Sequence, residues 1–229
     1  SRALALIALC MTLAIPAAHA QASSDVDPLE PLNRAVFSFN EALDESIIRP
    51  AAKAYVEYVP EPIRRGLGNF FSNLVDPWNG VNNLLQGKPR AAGSDIGRFV
   101  LNTLICLGLC DVATDQGFEK HNEDFGQTLG VWGFKSGPYL VLPIFGSSSI
   151  RDGIGRITDI TMDLSREIPT RAEFAAFTAV RVVDIRASLL PLGQMVQGVA
   201  LDRYTFFRNA YLQRRRNLVY DGNPPELDD

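Results

Sequence analysis

The segment from Gly130 to Asp152, GVWGFKSGPYLVLPIFGSSSIRD, constrains the fold more than any other part of the chain. Gly130, Gly133, Gly137 and Gly146, with Pro138 and Pro143, interrupt it too often for one helix. Trp132, Phe134, Tyr139 and Phe145 stand among Leu140, Val141, Leu142 and Ile144, which is too apolar for an ordinary solvated loop. A short apolar loop or hairpin is expected, covered either by a core or by lipid.

Around it the chain reads as helices bounded by prolines. Asp27-Pro28-Leu29-Glu30-Pro31-Leu32-Asn33 is a helix start, with Asn33 the expected N-cap. Val36, Phe39 or Asn40, Leu43 and Ile47 then recur at helical spacing, and Pro50 is expected to stop or kink that helix. Pro60 and Pro62 introduce a second helix, which Pro77 should interrupt, and Gly87-Lys88-Pro89 is a turn. In the next helix Ile96, Phe99, Val100, Thr103, Leu104 and Leu107 form one face, with Asp95, Arg98 and Asn102 opposite. A short helix over 125–130 is expected. Another follows from Ser149 to about Ser165, then one capped by Thr170, and a last one from about Met195 to Leu218.

The resulting expectation is a single all-α domain over 21–220, ending in an acidic tail, 221–229, expected to be disordered. The first twenty residues read as an export leader. Arg2 precedes an apolar run, Pro16 breaks it, and Ala18-His19-Ala20 fits small-x-small cleavage. Cys10 lies inside the apolar run, so lipid attachment there is not expected. The chain has 229 residues, of which 46% are hydrophobic and 21% charged, with a formal net charge of −4. Losing Arg2 with the leader makes the charge −5, which argues against nucleic acid as a partner. No stretch reaches the about 18 uninterrupted apolar residues of a spanning helix. With thirteen Phe, six Tyr and two Trp, several helices have aromatic-rich faces. Those faces meet either a core or a membrane interface.

Catalytic and metal chemistry is sparse. His121 is the one histidine beyond the leader and is read as a solvated surface residue. No G-x-S-x-G elbow occurs: Gly146-Ser147-Ser148-Ser149-Ile150 fails at its last position. Gly87-Lys88 runs into Pro89 and Gly66-x-Gly68 lacks a third glycine, so no phosphate loop is present. Cys106 and Cys110 are read as small buried apolar residues rather than a disulfide, since a regular helix aims residues four apart poorly; Gly108 between them is what would relax that. No cofactor or metal is expected. Arg214, Arg215 and Arg216 near the end of the last helix are candidates for a headgroup or acidic-partner contact, against a simple helix-dipole role. Arg151 and Asp152, beside the apolar segment, fit either a zwitterionic headgroup path or an ordinary helix start.

DPLEPLNRAVFSFNEALD (27–44), YVPEPIRRGLGNFFSNL (58–74), GRFVLNT (97–103), the 130–152 segment and AYLQRRRNLVYDGNPP (210–225) together resemble the MlaA (VacJ) family of Gram-negative outer-membrane phospholipid-transport proteins. The resemblance spans the chain beyond its leader. It implies an all-α ring in the periplasmic leaflet of the outer membrane, with a central amphipathic channel for phospholipids that have strayed into the outer leaflet. It further implies a porin trimer and a periplasmic lipid carrier as partners, and transport without bond chemistry. A soluble periplasmic lipid-binding module and a phospholipase are the competing classes. Within this frame Gly133 and Gly137 are candidate hinges, with Pro138 and Pro143 stiffening what lies between. Tyr139 is a candidate amphipathic tip beside Leu140, and Arg151 and Asp152 stand near the headgroup path. Val36, Phe37, Phe39, Asn40 and Leu43 are the candidate membrane-interface helix.

Overall fold

The computed structural model describes residues 27–168, 170–193 and 202–226. The expected leader, the start of the last helix near Met195 and the final three tail residues lie outside them. Helix α1 (Glu30–Leu43) begins with Pro31 in its first turn, where the missing N–H costs nothing. It passes without a break through a π turn (Asp44–Ile48) into α2 (Arg49–Tyr58). Pro50 therefore does not end the helix. In the wide turn the Arg49 N–H reaches back to the Asp44 carbonyl, which makes room for the proline ring. Helix α3 (Glu61–Leu85) likewise runs through Pro77, contrary to expectation. The turn at Gly87 (φ 77°) leads to α4 (Pro89–Cys106), which ends with Leu107 (φ 55°) and Gly108 (φ 80°) in the left-handed region.

The short helices α5 (Val112–Asp115) and α6 (Phe125–Val131) are capped by Asp111 and Asp124. Strands β1 (Tyr139–Leu142) and β2 (Gly146–Ser149) form an antiparallel hairpin with Tyr139 opposite Ser149 and Leu142 opposite Gly146. Ser149 then caps α7 (Ile150–Met162), and a 3-10 turn (Leu164–Glu167) follows. Thr170 caps α8 (Arg171–Ser188), and Asp202 caps α9 (Arg203–Val219). No helix among the described residues is long and apolar enough to cross a membrane.

The packing forms a closed circuit: α1 on the hairpin, the hairpin on α7, α7 on α6, α6 on α3, α3 on α8, and α8 back on α2. Helix α4 lies along α3, and α9 buttresses α6 and β2. Helices α6 and α7 cross at glycines: a Cβ on Gly155 would stand 2.4 Å from the Gly126 nitrogen.

What fills the interior is unusual. Among the described residues, buried polar and charged side chains outnumber buried apolar ones. On α3 the buried positions include Asn73, Asp76, Gly80 and Asn83, a polar stripe at three- and four-residue spacing. It faces the stripe Asp95, Arg98 and Asn102 of α4. Asn83 donates to Asp95 at 2.8 Å, Asn73 to Thr103 at 2.8 Å, and Arg98 lies 3.7 Å from Asp76. The opposite, apolar face of α4 is the outer one, with Leu104 79% and Leu107 73% exposed beside Ile96 and Val100. Ordinary globular packing puts these faces the other way round.

Candidate functional site

Two asparagines of α1 hold the hairpin. Asn33 is buried. Its amide donates to the Tyr139 carbonyl at 3.0 Å and to Asp27 at 2.8 Å, and its oxygen accepts from Val141 N–H at 2.9 Å. It is thus a strand clamp inside the first turn, not the expected N-cap. About two turns further along the same face of α1, Asn40 donates to the Leu142 carbonyl and accepts from Ile144 N–H. This corrects Asn40 as an interface residue: both its amide groups are spent on the hairpin.

Tyr139 is not an amphipathic tip. It is fully buried between Tyr204 and Tyr211, its hydroxyl 2.8 Å from Ser147. Alternation along the strand explains this: Tyr139 and Val141 point into the core, Leu140 and Leu142 less so. The exposed tip is Pro143, Ile144 and Phe145. Gly133 (φ 91°) and Gly137 (φ 70°) do adopt a conformation suited to glycine. However, the stretch after Gly133 is pinned to α7, with Arg151 N–H bonded to the Ser136 carbonyl and Ile150 N–H to that of Pro138.

Arg151 and Asp152 are likewise not open to a headgroup. Arg151 bonds to Asp152 and to the Phe134 carbonyl. Asp152 is buried, receives the Tyr211 hydroxyl, and shares Arg215 with Asp124. Arg215 lies 2.8–3.0 Å from Asp152 and 2.9 Å from the Asp124 Oδ1. Of the three tail arginines, Arg215 is therefore committed to an internal ion triad. Arg216 is bonded to the Pro225 carbonyl, and only Arg214 is exposed without such a partner among the described residues. For both aspartates burial pushes the carboxyl up, but Arg215 overcomes it and holds them below the usual carboxylate range. Such depressed groups add stability above the ordinary Asp value, near about 4, and lose it as the pH falls through their folded values. Unfolding free energy is therefore expected to be level above about pH 5 and to drop on further acidification. A charge-neutral Asp152→Asn variant, followed by denaturant titration at each pH, should lose part of that slope.

His121 is not a solvated residue. Its ring Nδ1 is 3.1 Å from buried Asp95, and its backbone N–H donates to the same oxygen at 3.0 Å. Cys106 and Cys110 form a disulfide, with Cα atoms 5.9 Å apart. The left-handed Leu107 and Gly108 end the helix after Cys106, so regular helical geometry no longer separates the pair.

A cleft of about 260 Å³ opens between α3, α7 and α8, lined by Leu74, Trp78, Arg156, Asp159, Asp163 and Arg181 among others. Burial pushes the Asp159 carboxyl up, while Trp78 Nε1 and Phe125 N–H donate to it. Sequence reasoning did not single out Arg156, Asp159 or Asp163. Their one signal was spacing: Arg156 and Asp159 lie three apart on α7, and Asp163 follows four residues on, just past the helix end.

The expected membrane-interface helix divides into two faces. Phe37 packs against Tyr204 and Phe207, and Val36 against the buried cluster of Tyr139, Val141 and Tyr204. Phe39 is 54% exposed, and Leu32 and Ile47 are more so, while Leu43 is half-buried. The outward stripe is thus Leu32, Phe39 and Ile47, and Val36 and Phe37 belong to the inner one.

The MlaA lipoprotein family profile matches residues 25–218. A Shigella flexneri relative, the intermembrane phospholipid transport system lipoprotein MlaA, is 37% identical over 203 residues, covering 86% of this chain and 79% of its own. The Haemophilus influenzae protein of the same name is 34% identical over 207 residues, covering 88% and 82%. A solved structure described as the structural basis for maintenance of bacterial outer membrane lipid asymmetry superposes with a TM-score of 0.74 at 38% identity, over 84% of this chain and 98% of that one. On sequence and fold together, the chain belongs to the MlaA family.

Proposed function

We propose that this protein removes phospholipids from the outer leaflet of a Gram-negative outer membrane, passing them through the centre of its helical circuit to a periplasmic carrier. It sits in the periplasmic leaflet, held by its apolar outer faces and by a trimeric porin. The observation that carries the reading is the inversion on α4, with Asp95, Arg98 and Asn102 inside and Ile96, Val100 and Leu104 outside. A surface of this kind is covered by lipid, and the polar seam that α4 buries against α3 is what leaves its apolar side free to face the membrane. The relatives' names, as parts of an intermembrane phospholipid transport system, supply the substrate class. The exposed hairpin tip, Pro143 to Phe145, is the part of the apolar segment left to move during passage.

Expression in Gram-negative cells deprived of their own MlaA protein is expected to clear phospholipid from the outer leaflet, read by outer-leaflet lipid labelling. A correctly localised protein that leaves outer-leaflet lipid at the deprived level would sink the reading. Phe39→Asp is expected to weaken membrane retention, since a carboxylate in an apolar setting costs several kcal/mol, on the order of 2–3. Unchanged fractionation of a folded variant would remove α1 from the lipid contact. The leader predicts a mature N-terminus at Gln21, whereas the lipoprotein names of the relatives favour an acylated cysteine. Intact mass of the exported protein decides between Gln21 and an acylated Cys10.

A further inference from the structure

Every acidic group lining the cleft between α3, α7 and α8 already has a partner. Asp124 is held by Arg215, Asp163 by Arg181 at 2.7 Å, Glu123 by Gln86 and Lys88, and Asp159 by Trp78 and the Phe125 N–H. Arg156 does not. Its guanidinium makes no hydrogen bond and no ion pair among the described residues, and its Nε is buried without a partner. The guanidinium carbon instead stands 5.4 Å from the centre of the Phe145 ring, at the exposed tip of the hairpin. A guanidinium offers five donors in a planar fork and keeps its charge at all relevant pH. Leaving it half-buried with no direct hydrogen-bond or ion-pair partner is costly unless an anion completes it.

We infer that Arg156 is the anion-binding residue of this cleft, and that it takes the phosphodiester of a phospholipid headgroup. The inference rests on the transport reading above and adds to it a residue and a chemical group. A phosphodiester presents two oxygens in the geometry a guanidinium fork matches. Asp159, three residues along the same helix, accepts both of its hydrogen bonds on one oxygen, Oδ1, and both donors are neutral N–H groups. A headgroup that carries an ammonium beside its phosphate therefore finds a carboxylate next to Arg156. The Phe145 contact ties the arginine to the hairpin, so a bound phosphate competes with the ring for the same cation.

The full-length protein in detergent is loaded with dioleoyl phosphatidylethanolamine or with dioleoylglycerol, which has the same tails and no phosphate. Retained lipid is then counted by native mass spectrometry. Arg156→Gln is expected to lower phosphatidylethanolamine affinity by about tenfold or more, as loss of a charged hydrogen-bond pair does, while dioleoylglycerol retention is unchanged. Arg156→Lys, which keeps the charge and loses the fork, is expected to fall between. Thermal unfolding of each variant confirms the fold. Wild-type affinity in a folded Arg156→Gln variant overturns the assignment. So does an equal loss of dioleoylglycerol, which would make the residue structural. Free glycerophosphoethanolamine is the second probe: if its binding alone depends on Arg156, the cleft takes soluble headgroups and the lipid assignment is overturned. A wild-type protein that retains neither lipid defeats the transport reading itself, whereas wild-type binding with no Arg156 effect defeats only this inference.

Discussion

Replacing Arg215 with methionine is expected to lower the unfolding free energy by about 3 kcal/mol. The guanidinium bridges Asp124 and Asp152 across the contact of α9 with α6 and the start of α7. Burial alone would lower its pKa, but the two carboxylates more than reverse that and push it up. Removing the arginine leaves two anions facing each other, with Asp152 in the interior and the Tyr211 hydroxyl as its remaining side-chain donor besides Arg151. The value is set at the low end for a broken buried pair because Asp124 keeps part of its surface in solvent. Arg214→Met, on an exposed neighbour, is the control and should stay within about 0.5 kcal/mol. Equal midpoints for the two variants in a denaturant titration would show that the triad is not a structural clamp.

The second large effect is expected at the outer end of α4. Leu104 and Leu107 are the most exposed leucines of this helix and its cap, and Ile105 and Leu109 stand beside them. If this tip enters hydrocarbon, an aspartate at either position costs about 3 kcal/mol, and the double change Leu104→Asp with Leu107→Asp should shift vesicle partitioning by more than about a hundredfold. Neither side chain contributes to the interior, so circular dichroism and thermal unfolding should be little altered. Flotation with vesicles measures the shift. A folded double variant that floats like the parent would mean that this face is covered by protein instead.

Both results turn on which face of each helix lies inside, and that was the part of the fold least readable from residues. Helix starts were legible because they rest on local chemistry. Thr170, Ser149 and the prolines after Val59 and Lys88 signal their own positions, and the helices begin beside them. The two faces of α4 were legible too, but amphipathicity gives a direction without a sign. Asp95, Arg98 and Asn102 became interior only through partners on neighbouring elements, on α3 and after α4, such as Asn83 and Asp111. The same blindness affected the site. Arg151, Asp152 and Arg215 looked available because their partners, at separations up to ninety-one residues, were invisible. Arg156 looked ordinary because what distinguishes it is the lack of a partner, which no sequence pattern displays. Pro50 and Pro77 misled for a different reason. The rule that proline ends a helix assumes regular α geometry, and at Pro50 the chain had relaxed it by widening the preceding turn.

That widened turn does more than accommodate a ring. In a regular helix each residue advances the side-chain direction by about 100°, and a π turn holds back roughly one residue of rotation. Asn33 at one end of the continuous helix and Ala52 towards the other are both buried, one against the hairpin and one on the segment that packs on α8. The Asp44–Ile48 turn acts as a phase correction that keeps these two distant contacts on one side of a single rod. Asp44, within the turn, is gripped by Arg49 and by Arg186 of α8, so the correction is locked from outside the helix as well. A twist applied at the hairpin end would therefore be delivered to α8 through one rigid element, with this turn as the place where its angle is set.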